Sequence, residues 1–259
     1  ASLCYKKHSM SKKNSSVLSL KTLINKNKKI TEIYQSFKKD LLSLKKKSFV
    51  VAVSGGADSL ALCALAKNLS NEKKIKIFYV LVDHGIRKNS SSEAKKVKEL
   101  LKKQKIKLNI LTNKKKFHSN IQGKAREIRY ELIYNFCKKN NIKHIITAHH
   151  SDDQIETFLI RLSRGSGVQG LSAMQFISKI KGNIFLIRPL LDFKKSEFIN
   201  LSKNFFGKVF NDPSNVNTKY LRTKIRHLKS TFEKNGILHN QVIKSIKNLA
   251  ETNITLNNY

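Results

Sequence analysis

The sequence predicts an α/β fold: a doubly wound, mainly parallel five-stranded sheet, followed by a small all-helical C-terminal appendage. Three observations carry that expectation. Apolar, β-branched runs of strand length alternate with segments whose apolar residues repeat at helical spacing, as in parallel sheets with right-handed crossovers. Polar or charged clusters follow four of the five strand-like runs, and functional groups of such sheets gather beyond the carboxyl ends of strands. From about Lys194 onward only helical spacing remains.

Residues 1–28 are rich in Ser, Lys and Asn, lack periodicity, and read as a basic, flexible arm. The arm contains no acid, which would suit an organellar transit segment, but also no Arg, which argues against one. A leading helix is expected over Ile30–Leu44, with Ile33, Phe37, Leu41 and Leu42 on one face. The first strand, Phe49–Val53, stops at Ser54-Gly55-Gly56, and a helical run follows from Leu60 to Leu69. A second strand, Ile75–Val82, ends in Asp83-His84-Gly85; the next helix spans Ser92–Lys103, with Ser90 or Ser91 as its cap. A third strand is placed at Lys107–Leu111, and a helix at Lys124–Lys139 turns Ile128, Leu132, Ile133 and Phe136 inward. The fourth strand, Lys143–Ala148, runs into His149-His150-Ser151-Asp152-Asp153-Gln154, with a helix over Ile155–Ser163. The fifth, Ile184–Arg188, is stopped by Pro189. Beyond residue 192 come helices over Lys195–Phe206, Asn217–Phe232 and Asn240–Leu249, with a turn at Asp212-Pro213-Ser214-Asn215. The expected division is therefore an arm (1–28), a sheet domain (29–192) and a short helical region (193–259).

Composition narrows the function classes. A chain of 259 residues can bury a substantial core, and it contains no apolar run long enough for a membrane span. Cys4, Cys63 and Cys137 are few and far apart, which points to a reducing compartment, the cytoplasm, and away from disulfides or a clustered metal site. The 52 basic residues exceed the 17 acidic ones by enough to give a formal charge of +35. Much of this excess is Lys accompanied by Asn and Ile, the bias expected of an AT-rich genome. Even so, a field of that size favours polyanions, above all nucleic acid.

Ser54, Gly55, Gly56, Ala57, Asp58 and Ser59 form a strand-to-helix loop whose N–H groups and helix dipole suit a phosphate. The simpler reading is an ordinary turn capped by Asp58 or Ser59. The Walker pattern G-x-x-x-x-G-K-S/T is absent, and Gly165–Gly170 matches G-x-G-x-x-G only after a helix, the wrong context for a dinucleotide. His149, His150, Asp152, Asp153 and Glu156 concentrate charge in a chain poor in acids. Beside a triphosphate such carboxylates hold Mg²⁺; alternatively Asp152 or Asp153 merely caps the helix. The two histidines could bind zinc, but no third ligand has suitable spacing. Arg161 and Arg164 precede a Gly-rich loop and suit transferring phosphate or an RNA backbone, or else simply complement a helix dipole. Arg126 and Arg129, beside Tyr130, read from spacing alone as a solvated face.

Together these motifs resemble a known family. Ser54-Gly55-Gly56-x-Asp58-Ser59 is similar to the pyrophosphate-binding loop of the PP-loop ATP pyrophosphatases. Asp83-His84-Gly85-Ile86-Arg87, Lys124–Tyr130, Thr147–Thr157, Arg161–Leu171, Arg188-Pro189-Leu190-Leu191 and Asp212-Pro213-Ser214-Asn215 resemble, in order, the tRNA(Ile)-lysidine synthetases within that superfamily. The resemblance covers roughly residues 48–230 and implies an adenine nucleotide alpha-hydrolase-like fold over the sheet domain. It implies ATP and Mg²⁺ as cofactors, and as partners free L-lysine and a tRNA(Ile) with a CAU anticodon. The implied reaction joins lysine to C2 of the wobble cytidine through an adenylated tRNA, releasing pyrophosphate and AMP. By position, Ser54, Gly55, Gly56, Ala57, Asp58 and Ser59 would hold the nucleotide. Asp58 and Asp153 would control metal or charge, with His149, Arg126 and Arg164 around the reacting groups.

The chain departs from the family in having Arg222-Thr223 where an Arg-Asn pair is usual. Many members also carry a longer C-terminal region, so tRNA choice is expected to rest on the short helical tail and the surplus positive charge. A homodimer is one assembly compatible with the sequence. Three other readings compete. A tRNA thiolase of the same superfamily would need paired cysteines near the site. An amide ligase acting on a small acid leaves the basic charge without a purpose. A non-catalytic RNA-binding relative would not need an intact loop and acid cluster.

Overall fold

The structure, a computed structural model, describes residues 20–86, 89–113, 121–210 and 221–258. Most of the basic arm, Arg87 and the Asp212-Pro213-Ser214-Asn215 turn lie outside these residues.

Two helices, α1 (Leu20–Lys26) and α2 (Lys28–Ser43), precede β1 (Ser48–Val53). There follow α3 (Ala57–Glu72), β2 (Lys76–Asp83), α4 (Ser90–Lys103), β3 (Leu108–Thr112), α5 (Ile121–Lys139) and β4 (His144–Ile146). The chain continues through α6 (Ser151–Leu162), α7 (Val168–Leu171), β5 (Ile177–Lys181), β6 (Ile184–Ile187), α8 (Lys195–Phe206), α9 (Leu221–Lys234) and α10 (His239–Asn257). The strands form one sheet in the order β3-β2-β1-β4-β6-β5, parallel throughout except for the β5–β6 pair.

Alternation along the strands sorts the core into two faces. Phe49, Val51 and Val53 of β1 face the larger core with Leu60, Leu62 and Leu65 of α3 and Val97 and Leu101 of α4. Val50, on the opposite face, packs with Val80, Ile145, Leu186, and Ile133 and Cys137 of α5. Thus α3 and α4 lie on one side and α5 crosses on the other, which makes the sheet doubly wound. The chain leaves β1 towards β3 and returns to β1's other side at β4. The crevice between the ends of β1 and β4 is therefore the topological switch point, where ligands of open α/β sheets bind.

Several expectations need adjustment. The sheet has a sixth strand, β5, a half-exposed antiparallel edge. Its sequence Ile-Ser-Lys-Ile-Lys is short and polar, so it lacks the apolar run of an inner strand. Residues from Leu20 onward, expected in the arm, are helical instead, and α1 buries Leu20, Leu23 and Ile24 in the larger core. Nor is residue 193 a core boundary: Phe198, Leu201, Phe205 and Phe206 of α8 belong to the same core as α3. Helix α4 starts after Asn89, with no side-chain cap, and Ser91 instead donates to Asp83 Oδ2 at 2.6 Å. Among the described residues no helix is long and apolar enough to cross a membrane.

Candidate active site at the switch point

The loop after β1 owes its shape to Gly55 and Ser59. Gly55 has φ +87°, and a Cβ there would lie 2.6 Å from Val97 Cγ2. Only glycine combines that backbone with that approach. Ser59 Oγ accepts from the N–H groups of Ser54 (3.2 Å) and Gly55 (3.0 Å) and donates to Gly56 O at 3.0 Å. Ser59 thus folds the loop onto itself and does not cap α3. The N-cap is Gly56, which provides no side-chain bond to the first-turn N–H groups. Uncapped N–H groups at the positive end of a 16-residue helix suit an anion. Asp58 sits in that first turn, and its Oδ1 is buried without a hydrogen-bond partner.

Helix α6 begins across the crevice, earlier than its apolar spacing indicated, so Asp152 and Asp153 lie in its first turn. His150 is the N-cap: its Nδ1 accepts from Asp153 N at 3.3 Å, and Asp153 Oδ2 accepts from His150 N at 3.2 Å. With Nδ1 accepting, the neutral ring carries its proton on Nε2. Nε2 stands 3.6 Å from Asp58 Oδ2 and 3.5 Å from Asp153 Oδ2. Burial opposes protonation of this ring, but the carboxylates of Asp58, Asp153 and Asp152 outweigh it and raise its proton affinity. Asp58 and Asp153, paired from the sequence, are therefore brought together by His150, which the sequence reading did not select. The adjacent His149-His150 pair was its only signal.

His149 occupies different surroundings. Its Nδ1 lies 2.8 Å from Thr147 Oγ1. Burial, with the positive charges of Arg188, Arg222 and Arg126 and against the pull of Asp153, lowers its pKa to about 4. It is neutral at neutral pH and can accept a proton or a hydrogen bond. Arg126 is exposed, its guanidinium 5.3 Å from the Tyr130 ring centroid, and its field reaches His149.

The acids of α6 are largely engaged by α9. Glu156, buried, accepts from Arg222 Nε at 2.7 Å and from Arg226 Nε and Nη2 at 2.7 and 2.9 Å. Burial opposes its ionisation, but the hydrogen bonds from Arg226 and Arg222 lower its pKa. Asp152 binds Lys229 Nζ and accepts from Lys195 N at 2.8 Å. Against burial, the Lys229 and Lys195 bonds hold its pKa down to about 2. Arg222 Nη2 also lies 3.5 Å from Asp153 Oδ1. Glu156 and Asp152 therefore dock α9 onto α6. Among the described residues no group of three or more His, Cys, Asp or Glu is arranged to hold a metal ion.

Arg164 does not join this cluster. It follows α6 at its far end, eleven residues beyond Asp153, or roughly 16 Å along the helix axis. Arg161 braces the following loop, with Nη1 donating to Gly170 O (2.7 Å) and Ala173 O (2.9 Å). At the end of β2, Asp83 is buried and accepts from Gly85 N at 3.0 Å. His84 Nε2 lies 3.3 Å from Arg129 Nη2, so Arg129 is not simply solvated.

Comparison with known proteins places this geometry. Residues 24–229 match the PP-loop domain family. The chain is 42% identical over 195 residues to the tRNA(Ile)-lysidine synthase of Wolbachia pipientis wMel, covering 74% of this chain and 45% of the relative. It is 42% identical over 181 residues to that of Orientia tsutsugamushi (strain Boryong), covering 69% and 40%. It thus spans less than half the length of these curated relatives. Among solved structures, the U34-tRNA thiolase NcsA from Methanococcus maripaludis superposes with a TM-score of 0.72 at 17% identity, over 87% of this chain and 81% of the thiolase, a likeness of fold alone. With the loop, the switch-point crevice and a match over most of its length, the chain belongs to the PP-loop domain family.

Proposed function

We propose that this protein is a carbon–nitrogen ligase that joins lysine to C2 of the wobble cytidine in a tRNA(Ile) with a CAU anticodon, at the expense of ATP. The observation that carries this reading is the meeting of Asp58 and Asp153 on His150 Nε2, at 3.6 and 3.5 Å, beside the uncapped start of α3. The 42% identity to tRNA(Ile)-lysidine synthases over 195 and 181 residues supports the choice of substrate.

In the first step the C2 oxygen of cytidine attacks the α-phosphorus of ATP and pyrophosphate leaves. The first-turn N–H groups of α3 would grip the leaving pyrophosphate, and Arg126 would offset phosphate charge. In the second step the ε-amine of lysine attacks C2, and AMP departs with the former C2 oxygen. Neutral His149 can accept a hydrogen bond from the attacking amine and so orient it. The partnerless Asp58 Oδ1 and the oxygen-only donors of Asp58 and Asp153 fit Mg²⁺. When bound, Mg²⁺ supplies charge neutralisation on phosphate oxygens. The basic charge of the chain and its reduced, buried thiols fit a cytoplasmic enzyme acting on RNA.

A thiolase is disfavoured by the two described cysteines. Cys63 and Cys137 are buried in separate cores on opposite faces of the sheet, and burial pushes the Cys137 thiol up to about 12. The deciding experiment is lysine-dependent AMP formation with a CAU-anticodon tRNA. Formation of AMP and lysidine is the expected result; normal ATP binding with no lysine-dependent AMP overturns the reading.

A further inference from the structure

Arg188, at the carboxyl end of β6, is buried, with 8% of its surface exposed. Its Nη1 donates to Gln175 O at 2.7 Å and to Ser178 Oγ at 3.0 Å, while Nε is buried without a partner. The wall that holds it is itself braced: Gln154 Nε2 donates to Met174 O at 2.7 Å, and Gln154 Oε1 accepts from Met174 N at 2.8 Å. Arg126 and Arg161 are close enough for their charges to act on Arg188. Among the described residues no carboxylate lies within ion-pairing distance of these three guanidiniums, whereas Arg222 and Arg226 are both paired with acids. A rigidly held, buried cation with no counter-charge among the described residues calls for an anionic ligand.

The chemistry of the surroundings selects the anion. Free lysine carries net positive charge, its one carboxylate outweighed by two ammonium groups, so three clustered guanidiniums disfavour it as a whole. A phosphate has the charge, and in two of its tetrahedrally placed oxygens the pair of acceptors, that a planar guanidinium fork matches. Geometry disfavours the pyrophosphate of ATP: β4 separates β6 from β1, so Arg188 starts two strand spacings, roughly 10 Å, from the Ser54–Ser59 loop. Its guanidinium is also anchored towards Ser178 on the outer strand β5. We propose that Arg188, flanked by Arg126 and Arg161, binds a backbone phosphate of the polynucleotide substrate on the β6 side of the crevice, apart from the nucleotide loop. This inference rests on the RNA substrate proposed above.

The test uses the full chain, with a CAU-anticodon tRNA transcript and ATP as separate probes. Arg188→Gln is expected to weaken tRNA binding about tenfold and to reduce the slope of log affinity against log salt by about 1, with ATP affinity measured without tRNA unchanged. Arg188→Lys should recover only part of the loss, because an ammonium lacks the fork. A fall in ATP affinity with tRNA binding unchanged would assign the site to the nucleotide and overturn the proposal; no change in either would make Arg188 a structural brace and also overturn it. If Arg188→Gln unfolds, as thermal melting would reveal, Arg161→Gln, which has no part in the reaction steps above, carries the same expectation for tRNA and the same overturning results. Binding requires no turnover, so an absence of lysine-dependent AMP would sink the ligase reading and leave this result standing.

Discussion

His150 Nε2 lies 3.6 Å from Asp58 Oδ2, so one buried imidazole ties the start of α6 to the loop after β1. The same ring caps α6 through Nδ1. These two roles separate by substitution. Asn can restore an N-cap but does not reach Asp58. His150→Ala is expected to lose cap stabilisation of about 1 kcal/mol together with pyrophosphate release. His150→Asn should regain much of the melting temperature but not the release. Recovery of both would show that His150 acts on stability alone.

Asp58→Ala removes the unpartnered carboxylate from the first turn of α3. Pyrophosphate release is expected to be abolished, while salt-sensitive tRNA binding persists, because that binding draws on dispersed basic charge. Parallel filter-binding and pyrophosphate assays check the split. Equal loss of both would mean that the loop shapes the RNA surface as well.

Gly55→Ala combines a φ of +87° with a Cβ 2.6 Å from Val97 Cγ2. A cost of about 1–3 kcal/mol in urea unfolding is expected. Adding Val97→Ala should remove the clash but not the backbone strain, and it creates a cavity of its own. The double variant should therefore remain less stable than Val97→Ala alone. A double variant as stable as Val97→Ala would show that the backbone tolerates a side chain here.

The α6–α9 contact predicts an acid-sensitive joint. Asp152 and Glu156 both have lowered pKa values in the folded chain. For such groups the stabilisation is complete above the unfolded value near 4 and is lost as pH falls through the folded value. With Asp152 at about 2, the loss falls between about pH 4 and pH 2 and amounts to about 2 kcal/mol. Urea unfolding across that range should show the slope, and Asp152→Asn should flatten it. Glu156→Gln is expected to cost about 2–3 kcal/mol, independent of Mg²⁺, because it weakens the bonds to Arg222 and Arg226. A stability loss seen only with Mg²⁺ present would return Glu156 to the metal site.

The position of the C-terminal helices changes what a truncation would report. The sequence suggests a small helical appendage on which, with the surplus positive charge, tRNA choice would rest. In the structure, His239 of α10 lies with Nε2 3.0 Å from Ser151 Oγ, at the first turn of α6, and Ile246 is buried. Removing residues 233–259 would therefore disturb the start of α6 itself, whatever its effect on tRNA selection.

The sequence by itself determined the doubly wound fold, because apolar alternation and helical spacing are local signals, and it located the Gly-Gly loop after β1, because that pair at a strand end has few uses. It also marked Asp58, Asp153, His149 and Arg126 through the motifs they sit in. It left β5 unread, since a short polar edge strand has no periodicity to display. It placed Arg164 beside the reacting groups, since helix length separates residues that a motif joins. Only the tertiary structure decided which acid does what. Asp153 turns to His150, and Glu156 to Arg222 and Arg226, because α9 returns across α6 from some 70 residues away. The role of a carboxylate depends on the cation packed against it, and that neighbour comes from chain folding, not from spacing.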